Sequence, residues 1–491
     1  MQHQDVIVIG AGMGGLTAAA LFAKDHRKVT LLEASHVTGG CSSSYYRKGY
    51  VFESGATTLI GFDAHQPLAQ LEALTGIRIP RERLNPSMTV HLNGKTILRH
   101  EGRDEWIAEA IRHFGQAEEQ RAFWSLAYDT ADAVWQLSES NPFFPPTSIA
   151  DTLRLANNHP KHALKLPLAF VSVADVMRRH GLTSPDFKRF VDEQLLISAQ
   201  AGAEDVPFLF GAPALTYTNS GNFTVPGGMH TMAKTVEDYI RAQGGQVFTK
   251  HRVVSITQEN GMHRVTCKNG KVFDAPVVVS NLPVWNMAAL TAGEASTYFE
   301  RESAKYDTAW GAFTMGVATD DPYQDDLTLH HQIHLDEPLP FTDSRSVFVS
   351  FSKRGDTERA PEGHRVLNIS THTPTEPWFA AGDRYEAMKE EVSRQILEAL
   401  RAQLPGFAQA EVHLAFPATP VSWENWVHRH KGRVGGIPQS MDRALWDWTP
   451  AQTPIPGLYL CGDTVYPGQG IPGVTLGGIN VYLRVQRTHP N

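Results

Sequence analysis

The chain has 491 residues, more than one simple core accommodates, so two structural domains are expected. Apolar residues make up 42% and charged residues 20%, which fits a folded globular protein and excludes a disordered or fibrous one. The net charge of −8 lacks the basic footprint of a nucleic-acid binder, and no nucleic-acid partner is expected. The three cysteines, Cys41, Cys267 and Cys461, are odd in number and far apart. They form no disulfide framework and suit a reducing, cytoplasmic compartment. His331/His334 and His428/His430 are spaced pairs without convincing partner ligands. They read as exposed loop histidines, and no metal site is assigned. The opening residues carry no basic segment of the kind a secretory leader has. The apolar stretches 166–173 and 206–215 fall short of the ~18–20 residues a spanning helix needs.

In chain order, DVIVIG (5–10) is a strand with no polar face, as in a parallel sheet covered on both sides. It runs into Gly10-Ala11-Gly12-Met13-Gly14-Gly15, then into an Ala/Leu-rich helix over 16–25 and a second strand, KVTLLE (28–33). In a dinucleotide-binding unit each residue has a task. Gly10 permits the tight turn, and Gly12 lets the backbone approach a pyrophosphate at the helix start. Gly14 belongs to the same turn, Gly15 lets helix and strand pack closely, and Glu33 accepts from the ribose hydroxyls. The acid disfavours a 2′-phosphate. The strand before, the helix after and the acid at this distance lift the GxGxxG above an ordinary glycine turn. Ala34 follows Glu33, and the Gly39-Gly40 pair leads into Cys41 and Ser42. A second backbone segment so close to the ribose acid suits a long cofactor. YVFESGATTL (50–59) ends at Gly55-Ala56, where the chain can run beside a flat ring.

Residues 63–225 and 286–410 differ in character, with helical patterns, many prolines and aromatics including Trp124, Trp135, Phe143, Phe144, Phe170, Phe208, Phe210 and Phe223. These either line an apolar tunnel or pack a core. FVSFS (348–352) and VLNISTH (366–372) are predicted strands. Between them, 226–245 is a helix bounded by glycines. Residues 246–283 form an antiparallel meander turning at Asn260-Gly261 and Asn269-Gly270. Val253 starts a V-x-x-I pattern that either faces an adenine or is a plain core strand.

Near the far end, GLYLCGDTVYPGQGIPGVTLGGINVYLRV (457–485) reads as a strand ending in Gly462-Asp463 and a helix with Pro472 in its first turn. A carboxylate there holds a ribityl hydroxyl. The helix start at Gly470, Ile471 and Pro472 offers N–H groups and dipole to the pyrimidine edge of a flavin. With this segment the cofactor is FAD. The literal GxGxxG at 468–473 follows no strand directly and is read as a flavin contact, not a second dinucleotide site.

The expected fold is therefore α/β: a Rossmann-like FAD-binding domain built from 1–62, 226–285 and 411–491, and a discontinuous α+β substrate domain from 63–225 and 286–410. VIVIGAGMGGLTAA, LLEASHVTGGCSSSYYRKGYVFESGATT, FTVPGGMHTMA, the segment DTERAPEGHRVLNIST and YLCGDTVYPGQGIPGVTLGG resemble the carotenoid desaturase and isomerase family, phytoene desaturase-like FAD enzymes related to retinol saturase. Cys41 followed by serines stands where many relatives carry Arg, which looks more like the isomerases and late-acting desaturases. The resemblance implies a lipophilic polyene substrate, with hydride transfer to flavin in desaturation, or isomerisation or saturation by reduced FAD. It also implies peripheral attachment to the cytoplasmic membrane face, with 166–173 and 206–215 either as contacts or, equally, as plain core. Alignment and water exclusion carry such chemistry, so no catalytic residue is assigned, and Glu53 is read as structural rather than as a proton acceptor. An amine oxidase, with Trp423 and Trp426 near the amine, is a more distant reading. A non-catalytic FAD binder is another. The sequence does not fix the oligomeric state.

Overall fold

The computed structural model describes residues 2–490 except 158, 159, 307, 308, 444 and 445. A five-stranded parallel sheet organises the cofactor half, in the order Gln246–Phe248, Val29–Leu32, Val6–Ile9, Val277–Ser280, Leu458–Leu460. The strands VIVI, VTLL and VVVS are buried at every position, because helices cover both faces. Those helices include Met13–Lys24, His230–Ala242 and Ile471–Thr488. Three distant stretches of chain are thus joined by one hydrogen-bonded sheet. A four-stranded sheet of Gln2–His3, Val272–Ala275, Met262–Cys267 and Val253–Glu259 lies alongside. Its Asn260-Gly261 turn has positive φ at both residues (52° and 76°), as a type I′ hairpin requires.

The second half is built on a seven-stranded sheet: Val412–Ala418, Gly311–Asp320, His364–Thr373, Ser346–Phe351, His330–His334, Met88–Leu92 and Lys95–Arg99. Met88–Leu92 runs parallel to His330–His334, so two segments 240 residues apart share one sheet. Helix Tyr385–Gln403 buries Met388, Val392, Ile396 and Leu400, a single i, i+4 face, against this sheet. Helices Arg103–Phe114, Ala117–Ser140, Pro185–Ala199 and Phe208–Thr216 form a separate core. At its centre the fully buried Arg99 guanidinium lies 3.9 Å from the Trp106 ring and donates to Thr218 and the Leu215 carbonyl.

The chain crosses between the halves at places other than those expected. Strand Val412–Ala418 pairs with Gly311–Asp320, so the return expected at 411 comes after Ala418. Leu68 and Leu71 of helix Pro67–Thr75, and Tyr298 and Phe299 of helix Glu294–Ala304, pack into the core of the cofactor half. The switches expected at 63 and 286 are correspondingly later. Hydrophobic contacts across the sequence, invisible to composition, decide these boundaries.

One further expectation needs correcting. His331 and His334 are not loop residues: they are buried in strand His330–His334, where His331 Nδ1 lies 3.1 Å from His91 Nε2. The stretch 206–215 makes no membrane contact but is core, the other of its two readings, since Val206, Phe208, Ala212 and Leu215 are fully buried. The stretch 166–173 does reach the surface at Leu166 and Phe170.

Candidate active site

A cavity of about 1380 Å³ lies between the halves. That exceeds the ~300–1,000 Å³ of an ordinary ligand pocket and leaves space for two molecules side by side. The first strand enters it through Gly10, whose φ of 92° a side chain would not tolerate. Helix Met13–Lys24 starts at Gly12 with no side-chain cap, so its first N–H groups face the cavity. Gly14 lines the cavity as well. Gly15 does not: a Cβ there would sit 2.1 Å from the Gly10 carbonyl oxygen, so its role is close packing of helix on turn.

The half-buried Glu33 carboxylate lines the cavity and accepts from the N–H of Ala11 and of Ser35, each at 2.7 Å. Burial pushes its pKa above the ordinary carboxylate range, and these backbone bonds oppose the shift. The remaining lone pairs are available to sugar hydroxyls. Ala34 and Val253 line the same end, joined to Glu33 through the His251 N–H, which donates to the Glu33 carbonyl at 2.7 Å.

Gly39 N–H donates to the Ala11 carbonyl at 2.7 Å, which brings Gly40, Cys41 and Ser42 against the first glycine turn. The hairpin Ser44–Arg47/Tyr50–Glu53 folds Gly55 and Ala56 back, and Ala56 N–H donates to the Cys41 carbonyl at 3.0 Å. A Cβ on Gly55 would meet the Trp423 ring at 2.9 Å, so the backbone there lies close against the edge of an indole.

The far end arrives from the other side. Gly462, Asp463, Gly470, Ile471 and Pro472 all line the cavity. Gly470 starts helix Ile471–Thr488, again with no side-chain cap. A Cβ on Gly478 would lie 2.5 Å from the Gly14 carbonyl oxygen, so the two cofactor helices touch at glycines. Asp463 is held by Arg429, Nη2 to Oδ2 at 2.7 Å. No strand leads directly into 468–473, which supplies cavity wall only.

Two uncapped helix starts opening on one cavity, with the Glu33 carboxylate at one end, fit a dinucleotide carrying an electron-rich ring. The sequence reasoning missed Asn281, which follows the fully buried strand VVVS. Its amide nitrogen lies 2.6 Å from where a Gly12 Cβ would be, and its amide oxygen 2.6 Å and 3.0 Å from those of Gly14 and Gly462. Arg429 was missed as well, and nothing in its local sequence announces it. Glu53 is structural: it is buried outside the cavity lining, accepts from Met229 N–H at 3.1 Å and lies 3.4 Å from Arg359. Cys41 is a free cysteine whose thiol burial pushes up, which does not favour a reactive thiolate.

The other half of the cavity is apolar. Helices supply Val134, Trp135, Ile197, Phe210, Pro213 and Ala214, and the seven-stranded sheet supplies Thr314, Ser346, Phe348, Ser370 and His372. Of the aromatics singled out in the sequence, Trp135 and Phe210 face this space. Trp124 and Phe208 are core, and Phe223 packs on Phe62. Phe143 and Phe144 pack beside Arg487 and Tyr466, and Phe170 is exposed. The only carboxylates among the described lining residues are Glu33 and Asp463, both at the cofactor end. Burial holds His372 at a pKa of about 4, so it is neutral at pH 7. Among the described residues, no group of three or more His, Cys, Asp or Glu could hold a metal ion.

Fold and site together define an FAD-dependent oxidoreductase. Solved structures with this fold include an oxidoreductase from Methanosarcina mazei, with a TM-score of 0.62, 21% identity, and 97% of this chain and 99% of that one covered. Putrescine oxidase bound to putrescine gives a TM-score of 0.65 at 14% identity, with 99% of each chain covered. The chain belongs to the family described as flavin containing amine oxidoreductase, which it matches over residues 13–481. Among curated proteins it is 28% identical to the chloroplastic prolycopene isomerase of Arabidopsis thaliana, across 98% of this chain and 82% of that protein. It is 22% identical to the 4,4'-diapophytoene desaturase (4,4'-diapolycopene-forming) of a Methylomonas species, across 96% and 92%.

Proposed function

We propose that this enzyme acts on the CH–CH or C=C bonds of a lipophilic isoprenoid polyene, in the manner of a carotenoid desaturase. The observation that carries this reading is the uncharged second half of the cavity. Its helices and strands bring no Asp, Glu, Lys or Arg to the described lining, while the volume exceeds what one ordinary ligand fills. A cationic amine bound there would lack a counter-ion and lose its hydration, a cost of several kcal/mol. A hydrocarbon loses nothing by entering. Bound FAD supplies the hydride acceptor for desaturation or, when reduced, the electron donor for isomerisation or saturation.

The chain's own residues bind, orient and exclude water. Val134, Trp135, Ile197 and Phe210 provide the apolar wall, and the sheet hydroxyls of Thr314, Ser346 and Ser370 edge it. Loss of a hydride from a carbon beside a conjugated system spreads positive charge along the polyene. The neighbouring proton is thereby acidified, and a strong base is unnecessary. The neutral imidazole of His372 is the ionisable ring that the seven-stranded sheet presents to this space. A second reading, isomerisation without net oxidation, is favoured by the higher identity to prolycopene isomerase than to the desaturase.

The enzyme would take such a substrate from a bilayer. Ile149 and Leu164 are each 82% exposed, and Leu153, Leu166 and Phe170 are exposed beside them in sequence. No helix among the described residues is long and apolar enough to cross a membrane. A patch that dips into the interface suits peripheral attachment.

The test is expression in cells that accumulate different acyclic carotenoids, with pigments resolved by chromatography. Desaturation gives red-shifted products, and isomerisation gives an altered isomer pattern at constant mass. Unchanged pigment in every background sinks the polyene reading.

A further inference from the structure

We infer that Arg429 is the cation that neutralises the FAD diphosphate, delivered from the far end of the chain to a glycine turn that carries no positive charge of its own. Among the described residues three arginines line the cavity, Arg47, Arg252 and Arg429; the first two are exposed, and the Arg429 side chain is only 11% exposed. Its guanidinium sits where the two cofactor motifs meet. It donates to Asp463 at 2.7 Å and lies in hydrogen-bonding contact with the Cys41 thiol, next to Gly40 and Gly462. The loop is shaped to hold it there. His428, just before it, has a φ of 60°, and Asn286 grips both flanks, donating to the His428 carbonyl at 2.9 Å and accepting from the His430 N–H at 3.2 Å. Arg429 also donates through Nε to the Arg433 carbonyl.

Asp463 alone does not account for this arrangement. Asp463 takes Nη2 and the Arg433 carbonyl takes Nε, while the guanidinium also contacts Cys41, and Arg429 and Cys41 both line the cavity. A diphosphate carries two negative charges. Helix starts supply only about half a unit each, and the effective dielectric of a buried site makes a full cation the larger contribution. The small Cys41 side chain leaves the space that the guanidinium uses.

The test is titration of apoprotein with FAD and with riboflavin, which has the same ring and ribityl chain and no phosphate, followed by flavin fluorescence. R429Q is expected to weaken FAD binding about 10- to 100-fold and riboflavin binding less than about threefold. FAD binding to the wild type should also weaken with salt more steeply than binding to R429Q. C41R/R429Q, which moves the guanidinium onto the facing side chain, should restore the wild-type FAD-to-riboflavin affinity ratio. Equal losses for the two ligands in R429Q, or no loss, overturn the inference. If R429Q does not fold, the double variant decides: a ratio at least about tenfold below wild type overturns the assignment. A wild-type protein that takes up neither flavin overturns this inference and the cofactor assignment together.

Discussion

At Asn281 the opening and closing motifs of the chain share one side chain. Its amide fills the spaces that Gly12, Gly14 and Gly462 leave open, and its oxygen accepts from the Cys461 thiol at 3.5 Å. N281D keeps the shape and adds a negative charge beside the diphosphate cradle. FAD affinity is expected to fall at least about tenfold, read by apoprotein titration. Gly15 has a different task, and G15A forces a Cβ onto the Gly10 carbonyl. A loss of about 1–3 kcal/mol in urea unfolding is expected even without cofactor. Glu53 offers the contrast. E53Q disturbs the buried contacts to Met229 N–H and Arg359, so it should lower stability by about 3 kcal/mol while the bound-flavin absorption spectrum of the folded fraction stays unchanged. A shifted spectrum would put Glu53 back among the groups that sense the flavin.

At the scale of elements, Val6–Ile9 and Val29–Leu32 were legible as short apolar runs with no polar face, covered by helices on both sides. The meander expected over 246–283 holds only for 253–275: Gln246–Phe248 and Val277–Ser280 pair parallel with Val29–Leu32 and Val6–Ile9, because their partners come from the start of the chain. The Asn260-Gly261 turn was legible because its φ values suit that pair of residues. Strand His330–His334 was not. HHQIH reads as polar, and its burial depends on Met88–Leu92, which arrives from a remote part of the chain. There His331 faces His91, and both are kept neutral by burial, His331 at a pKa of about 3. A histidine whose folded pKa lies below its ordinary value of about 6.5 stabilises the fold above that pH, and the stability is lost as pH falls toward the folded value. The wild type should therefore lose up to about 1.4 kcal/mol per pH unit for each such histidine between about pH 6 and 4. His331→Gln should flatten that slope in pH-dependent thermal melts; an unchanged slope would place the titration elsewhere. The same remoteness explains why Arg429 was illegible: its partners, Cys41 and Asp463, are brought to it only by the completed fold.

At the scale of the molecule, two halves knitted by chain crossings enclose one cavity, with charge at one end and hydrocarbon at the other. The exposed residues Ile149 and Leu153 lie on helix Ile149–Asn157, and Leu164 on the segment that follows it. Replacing all three with serine should abolish flotation with anionic phospholipid vesicles while leaving FAD content intact. Flotation retained by the variant, or absent from the wild type, would overturn the proposed membrane contact at these residues. Strand Val277–Ser280 bonds Val6–Ile9 on one edge and Leu458–Leu460 on the other, and this order in space has a meaning in time. On a ribosome adding about 5–20 residues per second, the Glu33 turn emerges roughly 20–90 s before the last of these strands. Until then the sheet has an open edge, and the nucleotide has half a binding surface. Cofactor capture must therefore wait for the end of translation, and a nascent chain stalled short of Gly470 should carry no flavin however long it lingers.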